Sequence, residues 1–342
     1  MGYHFRNLVF EGGGVKGVAY LGALAVLREK GILDGITRVG GTSAGAITAL
    51  LVGLGYGPDQ IEAEVRSLDF KKFLDDSFGI VRDTDRLLND FGWYKGDAFR
   101  EWTGRIIGQK TGNSESTFGD VAGMKEAKGF RDLYFIGTNL STGFAEVFSA
   151  EHTPRMCVAD AVRISMSIPL FFAAKRGIRG DVYVDGGVLD NYPVKLFDRQ
   201  KYAEAHAHPT DYYAERNELL SQSGKTVSPY IYNEETLGFR LDSASEIAVF
   251  RDQAEPPHRP IGDFFDYVKA LVATVLNVQE GQHLHSDDWQ RTIYIDTLDV
   301  GATDFDITDD RKNELVASGR TGAEHYFAWY DNPGNTPVNR PG

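Results

Sequence analysis

Short apolar runs alternate along the first two hundred positions with longer stretches in which apolar residues recur every three or four places. The run Asn7–Phe10 (NLVF) predicts a buried strand, and 15–30 (VKGVAYLGALAVLREK) predicts a helix closed by Gly31. The pattern then repeats: 36–40 predicts a short strand, 41–45 a tight turn and 46–54 (AITALLVGL) a buried helix. Two successive strand, glycine-turn, helix units imply an α/β protein with a mostly parallel sheet and helices on its faces. From 59 to about 110 the chain reads as helical and carries the aromatic cluster Phe91-Gly92-Trp93-Tyr94, either core or a cap over a site. Strands are expected at 133–138, 145–148 and 181–184, with a helix at 155–165 between them.

Beyond Asp198 the texture changes. Residues 200–260 are polar, include AHAHPTDYYAERNE and AEPPHRP, and read as an insertion or lid within a single domain spanning 1–342. A C-terminal part at 261–332 is expected to complete the fold, with a helix at 261–279, a strand at 291–297 (RTIYIDT) and a final amphipathic helix at 309–329.

Composition narrows the function. A net charge of -13 over 342 residues argues against nucleic acid as a partner and against adsorption to an anionic membrane by charge alone, so any lipid contact is expected to be hydrophobic. The single cysteine, Cys157, rules out an internal disulfide and is expected as inert packing. MGYHFRNLVF lacks the pattern of a cleaved secretory signal, Asn7 stands where a myristoylation motif wants Ser or Thr, and no apolar run approaches transmembrane length. A cytoplasmic protein is expected, with export by a non-classical route left open.

Three glycine-bearing stretches hold the chemistry. VGGTSAGAIT contains Gly41-Thr42-Ser43-Ala44-Gly45, the G-x-S-x-G spacing of a nucleophile elbow, in which a sharp turn exposes the serine and the next helix aims its N-terminus at it. VFEGGGVKGVAY offers Gly12, Gly13 and Gly14 as side-chain-free amide donors for an oxyanion, with Lys16 adding positive charge nearby. The same run fits G-x-G-x-x-G, but the next strand ends in Gly-Thr-Ser rather than in the acidic residue of a dinucleotide site. Lys16 is followed by Gly17, which departs from a P-loop. VYVDGGVLDNYPV sets Asp185 at a strand end, as a base aimed into the crevice or as the centre of a hairpin turn. His206 and His208 flank one residue but have no third metal ligand at sensible spacing.

Together these stretches resemble the patatin-like phospholipase family, whose G-G-G-x-[KR]-G, G-x-S-x-G and D-G-[GA] motifs occur in this order. TNLSTG at 138–143, SMSIPLFF at 165–172, and Asn191 with Pro193 are further similarities, and the likeness covers roughly 7–196. The resemblance implies a three-layer α/β/α fold and a lipid acyl hydrolase working without metal or cofactor on glycerophospholipids or lysophospholipids. Such an enzyme would visit a membrane or micelle surface transiently, with or without an activator. It implies Ser43 as nucleophile, Asp185 as general base, Gly12, Gly13, Gly14 and Ala44 as the oxyanion hole, and Gly41 and Gly45 as the elbow. Segments 70–99 and 201–260 are candidate lids. His283 and His285 keep open a Ser-Asp-His triad, while an acyltransferase and a non-enzymatic lipid-binding protein are the alternatives on the same fold.

Overall fold

The computed structural model describes residues 2–68, 91–177, 179–224, 227–245 and 287–332, together with Gly334 and scattered positions between 255 and 275. Its centre is an eight-stranded sheet. The strands are β1 (Asn7–Phe10), β2 (Arg38–Gly41), β3 (Asp132–Asn139), β4 (Phe144–Ser149), β5 (Lys175–Arg176), β6 (Val182–Asp185), β7 (Thr236–Asp242) and β8 (Thr292–Asp296). The order β8-β7-β1-β2-β3-β6-β5, with β4 also on β3, is parallel from β8 through β3. Pairs β3–β4, β3–β6 and β5–β6 are antiparallel.

Helices α1 (Tyr20–Glu29), α2 (Ala44–Gly53), α3 (Pro58–Ser67), α4 (Asp97–Thr111), α5 (Val158–Ser165) and α6 (Asp309–Asp331) contribute to the main apolar core. Opposite this core, Val9 of β1 and Tyr134 of β3 lie in one register row through Gly40 and pack with Phe197 and Tyr202. The chain that covers this second face continues into the helix Asp211–Gln222. The result is a three-layer α/β/α sandwich, and both faces of the sheet are covered, as parallel strands require.

Some expectations need correction. The 200–260 stretch is not wholly an insertion: β7 lies inside it, hydrogen-bonded between β1 and β8. Its sequence TLGFRLD hides a buried strand because Arg240 and Gly238 interrupt the apolar pattern, and the Arg240 guanidinium is neutralised inside by Asp242 at 3.0 Å. The expected helix at 15–30 starts as a 3-10 turn, Gly14–Ala19, and becomes α-helical only at Tyr20. Ala302 carbonyl takes the Val15 N–H at 3.1 Å and holds that tighter start. The helical reading of 59–110 is interrupted by a short strand, Gly92–Tyr94, paired with Leu170–Phe172; Phe91 is exposed while Tyr94 packs against the core. The α2 helix begins at Ala44, two residues earlier than the apolar run suggests, and α5 begins only at Val158. No helix among the described residues is long and apolar enough to cross a membrane.

Candidate active site

Sheet topology brings Ser43 and Asp185 together. Strand β4 pairs with β3 along 134–139, so it occupies one edge of β3. Both β2, at Asp132 to Phe135, and β6, at Gly137 to Asn139, must share the other edge. They run toward each other: β2 ends at Gly41 opposite Phe135, and β6 ends at Asp185 opposite Gly137. Chain just beyond each strand therefore meets at one point.

Ser43 sits where β2 turns into α2, with φ 54 and ψ -125, a conformation L-residues rarely hold. The turn closes because Gly41 and Gly45 are in contact, a Cβ on Gly41 falling 2.5 Å from the Gly45 carbonyl. Gly45 and Ala46 N–H groups donate back to Thr42 and Ser43 carbonyls, whereas Ala44 N–H has no partner among the described residues. That free donor lies at the positive end of α2.

The glycine loop supplies further donors, though not all those expected. Gly12 N–H donates to the Asn191 carbonyl at 3.0 Å, so Gly12 contributes open space rather than a hydrogen bond to substrate. Gly13 and Gly14 N–H groups have no partner among the described residues. Gly14 has φ 55, and a Cβ there would lie 1.9 Å from Ala302 carbonyl oxygen. Lys16, expected as a nearby positive charge, spends its ammonium on the Leu241 carbonyl at 3.3 Å and so ties this loop to β7. Buried Glu11 adds to the tie, accepting the Leu241 N–H at 2.6 Å.

Asp185 does not centre a hairpin turn. It caps a 3-10 turn, Gly186–Val188, with Oδ1 accepting the Gly187 N–H at 2.7 Å, while Oδ2 is buried with no hydrogen-bond partner within reach among the described residues. Burial pushes this carboxyl up to about 7, with Gly187 N–H and the neighbouring Ser43 hydroxyl pulling it back only in part. The Ser43 hydroxyl itself donates to Met166 Sδ at 3.6 Å.

Residues 165–167 form a strut that the sequence noted only as part of a similar stretch. Ser165 Oγ accepts the Ser43 N–H at 3.0 Å, and Ser167 carbonyl accepts the Asp185 N–H at 2.9 Å. Buried Arg163 braces the strut by donating to Ser167 Oγ at 2.5 Å and to Gly96 carbonyl at 3.0 Å. Nothing in Ser-Met-Ser taken locally announces this, because Ser43 and Asp185, the partners it positions, are distant in the chain. Asn191, noted in the N-x-P match, donates to Gly12 carbonyl at 3.2 Å and locks the glycine loop to the segment after Asp185.

A cavity of about 260 Å³ opens over Ser43 and Asp185, walled by Gly12 to Gly14 and by apolar side chains including Leu140, Ile168 and Val188. Leu271 and Val275 close part of it. No described residue of 70–99 or 201–260, the candidate lids, lines this cavity. His206 stacks on His4 and faces Glu235, while His208 pairs with Glu234 at 2.8 Å; no group of three metal-ligating side chains occurs among the described residues. His283 and His285 lie outside the described residues. Cys157 is half-buried beside Arg100 and Glu115 rather than among apolar groups alone, and burial raises its thiol pKa.

Three known proteins illustrate what this chain is similar to. A probable lipid hydrolase, 463L of Invertebrate iridescent virus 6, is 25% identical over 193 residues, 56% of this chain and 63% of its own. The structure of VipD from Legionella pneumophila shares the fold, with TM-score 0.61 and 19% identity over 95% of this chain and 67% of that one. The uncharacterized protein YqhO of Bacillus subtilis is 30% identical over 334 residues, covering 93% of this chain and 97% of its own. The patatin-like phospholipase profile matches residues 8–198, so this chain belongs to the patatin-like phospholipase family.

Proposed function

We propose that this protein is a lipid acyl hydrolase that cleaves carboxylic esters of glycerophospholipids or lysophospholipids through an acyl-enzyme on Ser43, with Asp185 as the base. The observation that carries the reading is a buried carboxyl titrating near 7 beside a strained serine on the floor of an apolar cavity. A free aspartate, at about 4, is too weak a base for a serine hydroxyl; one held near 7 is matched to neutral pH.

In the reaction the Ser43 hydroxyl turns from Met166 to Asp185, gives up its proton, and Oγ attacks the ester carbonyl carbon. Free N–H groups of Gly13, Gly14 and Ala44 support the oxyanion. Collapse breaks the carbon–oxygen bond of the ester, and the departing alcohol takes the proton from Asp185. Water, deprotonated by the same carboxylate, then attacks the acyl-enzyme, releasing fatty acid and restoring the serine. The apolar wall of the cavity favours an acyl chain over a polar substrate. An acyltransferase would pass the acyl group to a second acceptor, and a binding protein would make no product; neither has an observation favouring it over hydrolysis.

The test is hydrolysis of a short-chain chromogenic ester and of labelled phosphatidylcholine and lysophosphatidylcholine, with chelator present throughout. Wild type is expected to turn over, while Ser43→Ala and Asp185→Asn are not, and His283→Ala and His285→Ala are expected to retain activity. Loss of activity in either histidine variant would replace the dyad with a triad.

A further inference from the structure

Strand β3 overshoots β2 on the end of the sheet where the serine lies. Strand β2 ends at Gly41 opposite Phe135, whereas β3 continues to Asn139, a further ~13 Å at the usual rise of a strand. Three strands stand beside that extension: Asn139 faces Phe144 of β4 and Tyr183 of β6, and Tyr183 in turn faces Lys175 of β5. Arg176 and Val182 form the next row outward, where the Leu140 N–H donates to the Val182 carbonyl at 2.8 Å. Residues far apart in the chain thus make one rim beyond the nucleophile.

The rim is apolar where an edge in water would be polar. Phe144 is 71% exposed and Leu140 54%, and Phe91 is exposed with the Arg176 guanidinium 5.6 Å from its ring centre. Leu140 is also a wall of the reaction cavity, so the rim runs directly into the space over Ser43; Leu271, another wall, is exposed as well. The rim is also cationic. Arg176 is exposed and makes no ion pair among the described residues, and Arg179 keeps 78% of its side chain in solvent although Asp181 lies 3.4 Å away. Nearby acids are engaged: Glu146 by Asn139 and the Tyr183 hydroxyl, Asp181 by Asn139 and Arg179, while Lys175 lies 4.0 Å from Asp97.

A net charge of -13 repels an anionic surface as a whole, so this local reversal of sign beside the cavity selects its partner. Guanidinium groups set among exposed apolar side chains fit a layer with phosphates at its surface and hydrocarbon beneath. We propose that the rim docks the protein on anionic phospholipid membranes, with Phe144 and Leu140 entering the boundary between headgroups and acyl chains while Arg176 and Arg179 hold lipid phosphates. This rests on the hydrolase reading above and deepens it, because it names the surface from which the ester is drawn. The cavity wall that begins at Leu140 then receives the acyl chain on its way to Ser43.

The experiment reads binding without turnover, by co-sedimentation with vesicles of ether-linked phosphatidylcholine, alone or mixed with ether-linked phosphatidylserine. Wild type is expected to bind the mixed vesicles at least about fivefold more tightly, and added salt should narrow that gap. Arg176→Gln and Arg179→Gln should each weaken binding to the mixed vesicles about fivefold and leave binding to phosphatidylcholine alone unchanged, whereas Arg176→Lys keeps the charge and the binding. Phe144→Ser should weaken binding to both kinds about tenfold. None of these side chains lines the cavity, so turnover of a monomeric short-chain ester should stay within about twofold of wild type in every variant, which also shows that each folds. Equal binding of wild type to both vesicles, arginine variants that bind as wild type does, or a dimer that Phe144→Ser converts to monomer overturns the docking surface and leaves hydrolysis standing. Wild type that binds the mixed vesicles as expected but turns over no ester overturns the hydrolase reading and leaves the docking surface.

Discussion

Replacing Asp185 by asparagine is expected to abolish catalysis and to stabilise the protein above neutral pH. The carboxyl is buried, and its titration moves from 3.8 in a free aspartate to about 7 in the fold. A folded-state value above the unfolded one means that the folded chain binds the proton more tightly. Its contribution to stability is whole below about pH 4 and is withdrawn as pH rises through about 7. The shift is about three units, and at ~1.36 kcal/mol per unit the ionised carboxylate costs roughly 4 kcal/mol once pH exceeds both values. Asparagine keeps an oxygen for the Gly187 N–H but does not titrate.

Urea denaturation of both proteins between pH 5 and pH 8 should show the variant gaining roughly 2–3 kcal/mol on wild type across that range, flattening above about pH 7.5. Asp190, also pushed up by desolvation, to about 6, titrates in both proteins and cancels in the difference. A stability difference that stays constant with pH, or that favours wild type increasingly as pH rises, would refute the assignment of a desolvated base at this position.

Other expected outcomes follow from the same geometry. The wild-type kcat/KM should rise with pH through about 7 and then level, since only the ionised Asp185 can accept the serine proton; a profile already flat from pH 5 would contradict this. Ser165→Ala removes the acceptor of the Ser43 N–H and should lower kcat by about tenfold or more with little loss of stability, because it loosens the elbow rather than the core; unchanged kcat would argue against the strut. Gly14→Ala forces a methyl group into Ala302 carbonyl at a positive φ and should cost about 2 kcal/mol or more in denaturation, with loss of turnover. Arg291 is buried and holds Asp198 at 2.6 Å and Asp288 at 2.7 Å, so Arg291→Met should cost roughly 3–5 kcal/mol by leaving the buried Asp198 carboxylate without its cation, while Asp288 keeps Lys195 at 3.1 Å; a loss below about 1 kcal/mol would show that water reaches Asp198.

What the sequence made legible is chemistry written into a few consecutive residues. The strand Asn7–Phe10 is where its apolar run suggests, and G-x-S-x-G turns sharply because its two glycines leave room for each other. What it left illegible depends on residues distant in the chain. Gly12 looks like Gly13 until Asn191 carbonyl takes its N–H, and Lys16 looks like a charge for the site until Leu241 carbonyl takes its ammonium. Thr236–Asp242 was masked because both faces of a central strand are buried, so polar residues there are paired rather than exposed. Ser165 and Met166 matter through Ser43, more than a hundred positions away, and Ser167 through Asp185, eighteen away, distances no local pattern encodes.

The central claim, an acyl-enzyme on Ser43 activated by Asp185, is tested most directly with an alkyl fluorophosphonate, in which Oγ would bond to phosphorus as fluoride leaves. Intact-mass analysis with peptide mapping should find one adduct on Ser43 in wild type, none in Ser43→Ala, and strongly slowed labelling in Asp185→Asn. Labelling at another residue, or labelling as fast in Asp185→Asn as in wild type, would contradict it.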